Sequence, residues 1–271
     1  MPVKTGSEVV FTSKGPRRLA NVRQLTGGSR VRRIGRAWEA RGRSDVNWRS
    51  ISAPIAPAER AEQAPAGGWI SWADWQTVSA TPVASFSAAW TVPPPPTTAG
   101  GQLIYLFNGL QDAAGQHILQ PVLQWGTSPA AGSGDHWGLA SFWVGSENDP
   151  MFCSPWVAVQ PGTAVTGRMN VVAQANGLFS CTCAFDGFPA TELTAENLPE
   201  LVDCVLTLEA YGIAADAPYP SVAYTDFVQV AVTTRDATPA VQWQASGGAL
   251  VQADGGVDGS VRVVYPQGAI A

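Results

Sequence analysis

With 271 residues the chain is long enough for one large β domain, or for one domain plus an appendage. Gly, Pro, Val, Thr and Trp are abundant and only 14% of residues are charged, a composition that suits strands and turns and is ordinary for a secreted β-sandwich. The net charge of −5 conceals two segments of opposite sign: residues 1–60 hold 13 Lys/Arg against 4 acids, a net of +9, and the rest holds 3 against 17, a net of −14. Segments so charged attract each other. Several function classes drop out at once. No apolar run is long enough to span a membrane, and the first 30 residues lack the apolar core of a secretory signal, so secretion would need another route or an upstream start. Two histidines and no CxxC pair argue against a zinc site, and no Walker loop is present, so no cofactor is expected. Serines abound, and His136 follows Asp135, but there is no Gly-x-Ser-x-Gly elbow for a serine hydrolase.

Residues 1–51 read as a basic leader, weakly ordered in isolation. Arg30–Arg43 is predicted as one basic helix with Val31, Ile34 and Trp38 on one side. Nucleic acid, a membrane surface and the acidic body compete as its partner. With little aromatic interleaving, binding to the body in cis is favoured over nucleic acid. Residues 52–68, rich in Pro, Ala and Gly, read as a linker open to proteolysis.

From Trp69 to the end, roughly a dozen strand-like runs separated by turn residues indicate an all-β sandwich or barrel. A short helix is expected only at Thr191–Leu201. Leu103–Gly126 reads as two strands joined by a turn at Gln111–Gly115. In the second strand Leu119, Pro121, Leu123 and Trp125 share one face, and Ile118, Gln120, Val122 and Gln124 share the other. Two uncharged amides on an otherwise apolar strand need partners: backbone, water or substrate. Pro121, which cannot donate to a ladder, suggests an edge position or a bulge. Further on, Leu201–Gly212 places Cys204, Leu206, Leu208 and Ala210 on one face, with Asp203, Val205, Thr207, Glu209 and Tyr211 on the other. Cys153, Cys181, Cys183 and Cys204 allow three pairings, or stay as buried thiols.

Several of these segments, in order, resemble the glutamic peptidases (the eqolisin family) across residues 69–245. They are the Trp-rich opening strand at 69–78, SFSAAWTVPPP at 85–95, IYLFNGLQ at 104–111, ILQPVLQ at 118–124, the Trp-rich strand at 137–143, VQPGTAVTGRM at 159–169, LTLEAYG at 206–212 and YPSVAYTDFVQV at 219–230. The resemblance implies two large antiparallel sheets, curved like a legume lectin, a polypeptide substrate, activity in acid, a basic leader removed on activation, and a Gln/Glu pair that activates water. By position the Gln is Gln120. The family's Ala-Glu-Trp motif is absent here, and Pro121-Val122 follows ILQ where the family has Thr-Gly. Glu209 is taken as the acid, with Asp203 as the second candidate. Gln124, Trp137 and Trp143 are expected to line the substrate groove. The reading from another class is a non-catalytic, lectin-like module binding glycans or proteins, since exposed tryptophans also serve sugar stacking.

Overall fold

A computed structural model describes residues 9–52, 67–77, 81–128, 134–146, 148–214, 218–246, 251–253 and 259–266. The linker expected at 52–68 lies mostly outside them. Among the described residues there are twenty-one strands, numbered β1 to β21 along the chain, and no α-helix.

The strands form two stacked sheets. The first runs β19 (Gln244–Ser246), β7 (Gly67–Gln76), β17 (Leu201–Tyr211), β9 (Leu103–Asp112), β10 (Ile118–Trp125), β11 (Trp137–Val144), β12 (Met151–Cys153) and β3 (Val22–Gln24), with β13 (Val157–Ala158) also paired to β11. The second runs β20 (Val251–Ala253), β21 (Val261–Val264), β18 (Tyr224–Thr234), β8 (Val83–Thr91), β14 (Ala164–Ala173), β15 (Phe179–Phe185), β16 (Phe188–Leu198), β4 (Ser29–Ile34), β5 (Ala37–Arg41) and β6 (Arg49–Ile51). A separate hairpin joins β1 (Val9–Val10) to β2 (Arg17–Arg18). Pairing is antiparallel throughout except β3 with β12 and β4 with β16. The chain is therefore an all-β sandwich, as its composition and turn spacing imply.

Burial distinguishes the two sheets. In β8, Phe86, Ala88 and Trp90 are buried while Ser85, Ser87 and Ala89 are half-exposed, the pattern of a sheet with one wet face. In β9, β10 and β11 every residue is buried. The first sheet is thus covered on both faces. One face packs against the second sheet through a core that includes Leu106, Leu123, Trp137, Trp143, Phe86 and Phe185. The other carries a smaller apolar cluster of Tyr105, Phe107, Ile118, Val122, Phe142 and Val205, covered partly by Val10.

Four expectations are corrected here. Residues 29–41 are not a helix: Ser29–Ile34 and Ala37–Arg41 are strands joined at Gly35-Arg36, and Gly35 supplies the positive φ of 59° that a two-residue hairpin turn requires. Val31 and Trp38 point into the main core from this hairpin. Thr191–Leu201 is also strand, spanning β16 and the start of β17; its polar residues lie in ladders and not on a helix face. Pro121 stands in a central strand, paired with Ser141. It is accommodated because the β9–β10 ladder has partners on either side of it but none at Gln120 and Pro121, so no donor is required there. Finally, Trp137 and Trp143 occupy the face of β11 that meets the second sheet, where both are fully buried. The groove role expected for them fails because they share parity with Leu139, which packs in the same core. All four cysteines are buried free thiols.

Candidate active site

The outer face of the first sheet collects the residues singled out in the sequence. Ladder register places Asp203 opposite Gln111, and Gln111 opposite Ile118. Two residues along, Val205 faces Gly109, and the flanking pairs put Gly109 opposite Gln120. Four further along, Glu209 faces Tyr105 and Tyr105 faces Gln124. Gln120, Gln124, Asp203 and Glu209 therefore project from the same face, with β9 between the amides and the acids. Sheet spacings put the Cα atoms of Gln120 and Glu209 about 16 Å apart, those of Gln120 and Asp203 about 12 Å apart, and those of Gln124 and Glu209 about 10 Å apart. The Ile118 and Val205 side chains close over Gly109, where a Cβ would lie 3.0 Å from Ile118 Cδ1 and 3.1 Å from Val205 Cγ2.

The two acids have different surroundings. Glu209 has no exposed surface; Oε1 accepts a 2.7 Å bond from the Tyr211 hydroxyl, and Oε2 has no partner of good geometry. Burial pushes its carboxyl up to about 7, against the opposing pull of Tyr211, of the nearby Trp69 indole and of the Lys14 ammonium. Asp203 is half-buried and accepts a 2.9 Å bond from Gln111 Nε2. Burial, then the negative charge of Asp74, raises it to about 6, with Gln111 and Lys14 opposing. Gln124 is buried, and its Nε2 is committed to the Gly126 carbonyl at 2.9 Å, so it is held away from any substrate. Among the residues meant to line the groove, alternation brings Gln124 to this face and sends the tryptophans to the opposite one.

Other residues of the face carry no assigned role in the sequence reading, although Tyr211 is placed there beside Glu209. Tyr211 and Tyr105 lie on it in line with Glu209, and Trp69 packs edge-on to Phe107 at 6.1 Å. Their parity was readable, since Tyr211 lies two residues past Glu209 and Tyr105 two before Phe107. Gln111 was read as a turn residue, yet it ends β9 and contacts Asp203 directly.

A piece of the chain itself lies on this face. The tip of the β1–β2 hairpin, Phe11–Gly15, is closed by a bond from Gly15 N to the Thr12 carbonyl at 2.8 Å. The Phe11 carbonyl accepts from the Tyr105 hydroxyl at 3.4 Å, and the Thr12 carbonyl from the Tyr211 hydroxyl at 3.0 Å. Ser13 Oγ donates to Gln120 Oε1 at 3.2 Å, and Lys14 Nζ donates to Gln111 Oε1. Phe11 stacks obliquely on Tyr211 with ring centres 5.0 Å apart. Lys14 is lowered from the ordinary lysine range by burial, while Asp112, Asp203 and Glu209 attract it and Arg17 repels it. Tyr211 has one hydroxyl proton and two acceptors within reach, Glu209 Oε1 and the Thr12 carbonyl.

A separate buried group lies beyond the end of this face. His117 Nδ1 is 2.7 Å from Asp112 Oδ2, and Nε2 is 3.3 Å from Asp149 Oδ2, with the ring stacked on Trp143. The bond to Asp149 and then the one to Asp112 raise the imidazole against burial. Burial opposes ionisation of both acids, but His117 and backbone donors hold Asp112 low, and His117, the Trp38 indole and Ser146 hold Asp149 well below the carboxylate range. Among the described residues no group of His, Cys, Asp and Glu is arranged to hold a metal ion.

Comparison with solved structures finds scytalido-glutamic peptidase bound to a peptide-based transition state analog, at 13% identity and a TM-score of 0.47, covering 74% of this chain and 100% of that one. A second structure of scytalido-glutamic peptidase, with a transition state analog inhibitor, aligns at 13% identity and a TM-score of 0.46 over 75% of this chain and 98% of the other. No protein-family model and no curated protein sequence matches.

Proposed function

We propose that the chain is an acid-acting endopeptidase that works as the glutamic peptidases do, with an amide and a carboxylate, here an aspartate ahead of a glutamate, activating water against a peptide carbonyl. The observation that carries this reading is the hairpin tip. A polypeptide already lies across the face that bears Gln120, Asp203 and Glu209, with two of its carbonyls and two of its side chains bonded to that face.

Asp203 is the acid this reading favours, ahead of Glu209, because it stands nearer Gln120 in the ladder and is not sealed from solvent. Its carboxylate takes a proton from water as the water attacks the carbonyl, and returns it to the leaving amine. Gln120 Nε2 donates to the developing oxyanion, which needs a donor that never ionises. Gln111 orients Asp203. With the tip in place Asp203 is protonated in mild acid; once the tip leaves, the burial that raises it is relieved, its carboxyl falls toward the ordinary carboxylate range, and it ionises in mild acid as a base must.

The hairpin makes the enzyme latent. Acid removes the charges of Asp203 and Glu209 that face Lys14, and leaves Asp112 ionised. Lys14 keeps its bond to Gln111, but with those two charges gone its attraction to the face weakens, so acid loosens the tip.

The test is cleavage of an unfolded protein between pH 3 and 7, read as new amino termini, with the native chain and with Lys14→Asp, which turns the attraction into repulsion. Lys14→Asp is expected to cleave at higher pH than the native chain. In that background Asp203→Asn and Gln120→Ala should each lose at least 100-fold. Failure of both the native chain and Lys14→Asp to cleave at any pH overturns the reading, and loss in Glu209→Gln but not in Asp203→Asn moves the role to Glu209.

A further inference from the structure

The basic N-terminal segment consists of two differently built parts. Residues 9–18 lie on the outer face, with Arg17 also donating to the Gly145 carbonyl at 3.0 Å, but residues 22–51 complete both sheets. β3 adds a parallel strand to the exposed edge of β12, and β4 adds one to β16, with β5 and β6 continuing the second sheet outward. Between them the chain crosses from one sheet to the other: Leu25 N donates to the Cys153 carbonyl, and Gly28 N to the Glu192 carbonyl, each at 2.8 Å. A Cβ at Gly27 would stand 2.6 Å from the Ala190 carbonyl oxygen, so the crossing lies tight against β16.

The contact is also apolar and ionic. Trp38 is 2% exposed, with its ring 5.3 Å from Phe152 and 6.0 Å from Trp143, and its Nε1 donates to Asp149 Oδ1 at 3.1 Å. Arg30 pairs with Glu196, and Arg43 with Glu192 at 2.9 Å. Asn197, held at a φ of 59°, donates its side-chain amide to the Arg33 carbonyl at 2.8 Å.

We propose that residues 22–51 are a permanent clasp, an interaction surface whose partner is the body of the same chain, and that they stay bound without a covalent link when the chain is cut between β6 and β7. Removing them would leave two sheet edges with unpaired backbone donors and acceptors, and an aromatic hole lined by Phe152 and Trp143. A cut between β6 and β7 therefore releases neither part by itself: the hairpin stays joined to the clasp through Leu19–Asn21, and its tip leaves the face only when its own contacts there weaken. The clasp does not depend on the peptidase reading.

The experiment inserts a recognition sequence for a site-specific protease between β6 and β7 of the full-length chain, cuts it, and runs the product on size exclusion with mass spectrometry at pH 7 and pH 4.5. The two fragments are expected to elute together in equal amounts at both pH values and to separate only in denaturant. Trp38→Ala in the cut protein should weaken retention at least tenfold on dilution. Separation of the fragments in native buffer, or retention indifferent to Trp38→Ala, overturns the proposal. No activity is measured, so a chain that cleaves nothing leaves this result readable.

Discussion

Two groups of buried acids in this molecule answer burial in opposite ways. Asp203 and Glu209, on the outer face of the first sheet, have amides, hydroxyls and a displaceable lysine beside them, and burial pushes both upward. Asp112 and Asp149 enclose His117, and Asp149 also receives the Trp38 indole; both are held down although burial opposes it. Two or more direct hydrogen bonds from His117 and neighbouring donors outweigh desolvation at Asp112 and Asp149, while one direct donor and a more distant lysine do not at Asp203 and Glu209. The second group ties the clasp to the body through the Trp38 indole.

The comparison breaks most visibly at Asp149. Asp149→Asn leaves Trp38 and His117 with a neutral partner, and should cost about 3–5 kcal/mol in denaturant unfolding at pH 7, as removal of one partner from a buried ion pair does. Glu209→Gln should act the other way. Its raised carboxyl binds a proton more readily folded than unfolded, so its contribution to stability is fully present below about pH 4.5 and is lost as pH rises through about 7. The variant is expected to be more stable than the native chain by up to roughly 3 kcal/mol above pH 7 and indistinguishable from it at pH 4. Asp203→Asn should show the same sign with only about 1 kcal/mol, since Asp203 is partly open to screening solvent. For the native chain, the first group makes stability fall from pH 4.5 toward 7, and the second makes it fall again in stronger acid as Asp112 and Asp149 take up protons. A thermal-unfolding series across pH should therefore peak in mild acid. Arg43→Ala, which removes an exposed pair with Glu192, serves as the control and should move stability by under 1 kcal/mol at any pH.

How much of this was legible in the chain depends on which physical signal a residue carried. The shared face of Gln120 and Gln124, and that of Asp203 and Glu209, follow from period-two alternation alone, and the structure keeps both. Trp137 and Trp143 had the same signal available, but Gly138, Ala140 and Phe142 make the other face of that strand apolar too, so alternation does not say which side is the core. Register was not legible. Nothing local says that Asp203 aligns with Gln111 and Glu209 with Tyr105, because pairing across β9 is fixed by contacts nearly a hundred residues apart. The clasp was misread for a related reason. Arg30, Arg32 and Arg33 mask the alternation of Ser29 and Val31, and the partner that makes β4 a strand, Leu193–Glu196, lies far along the chain.

That distance has a cost during synthesis. The clasp strands leave the ribosome first, but the edges they join are made more than a hundred residues later, so β3, β4 and β5 wait as bare strands while the body assembles. A waiting strand rich in Val, Ile and Trp would pair with neighbours of its own kind. The run of arginines in β4, half-exposed in the finished fold, keeps such strands apart by mutual repulsion until the acids of β16 arrive to receive them.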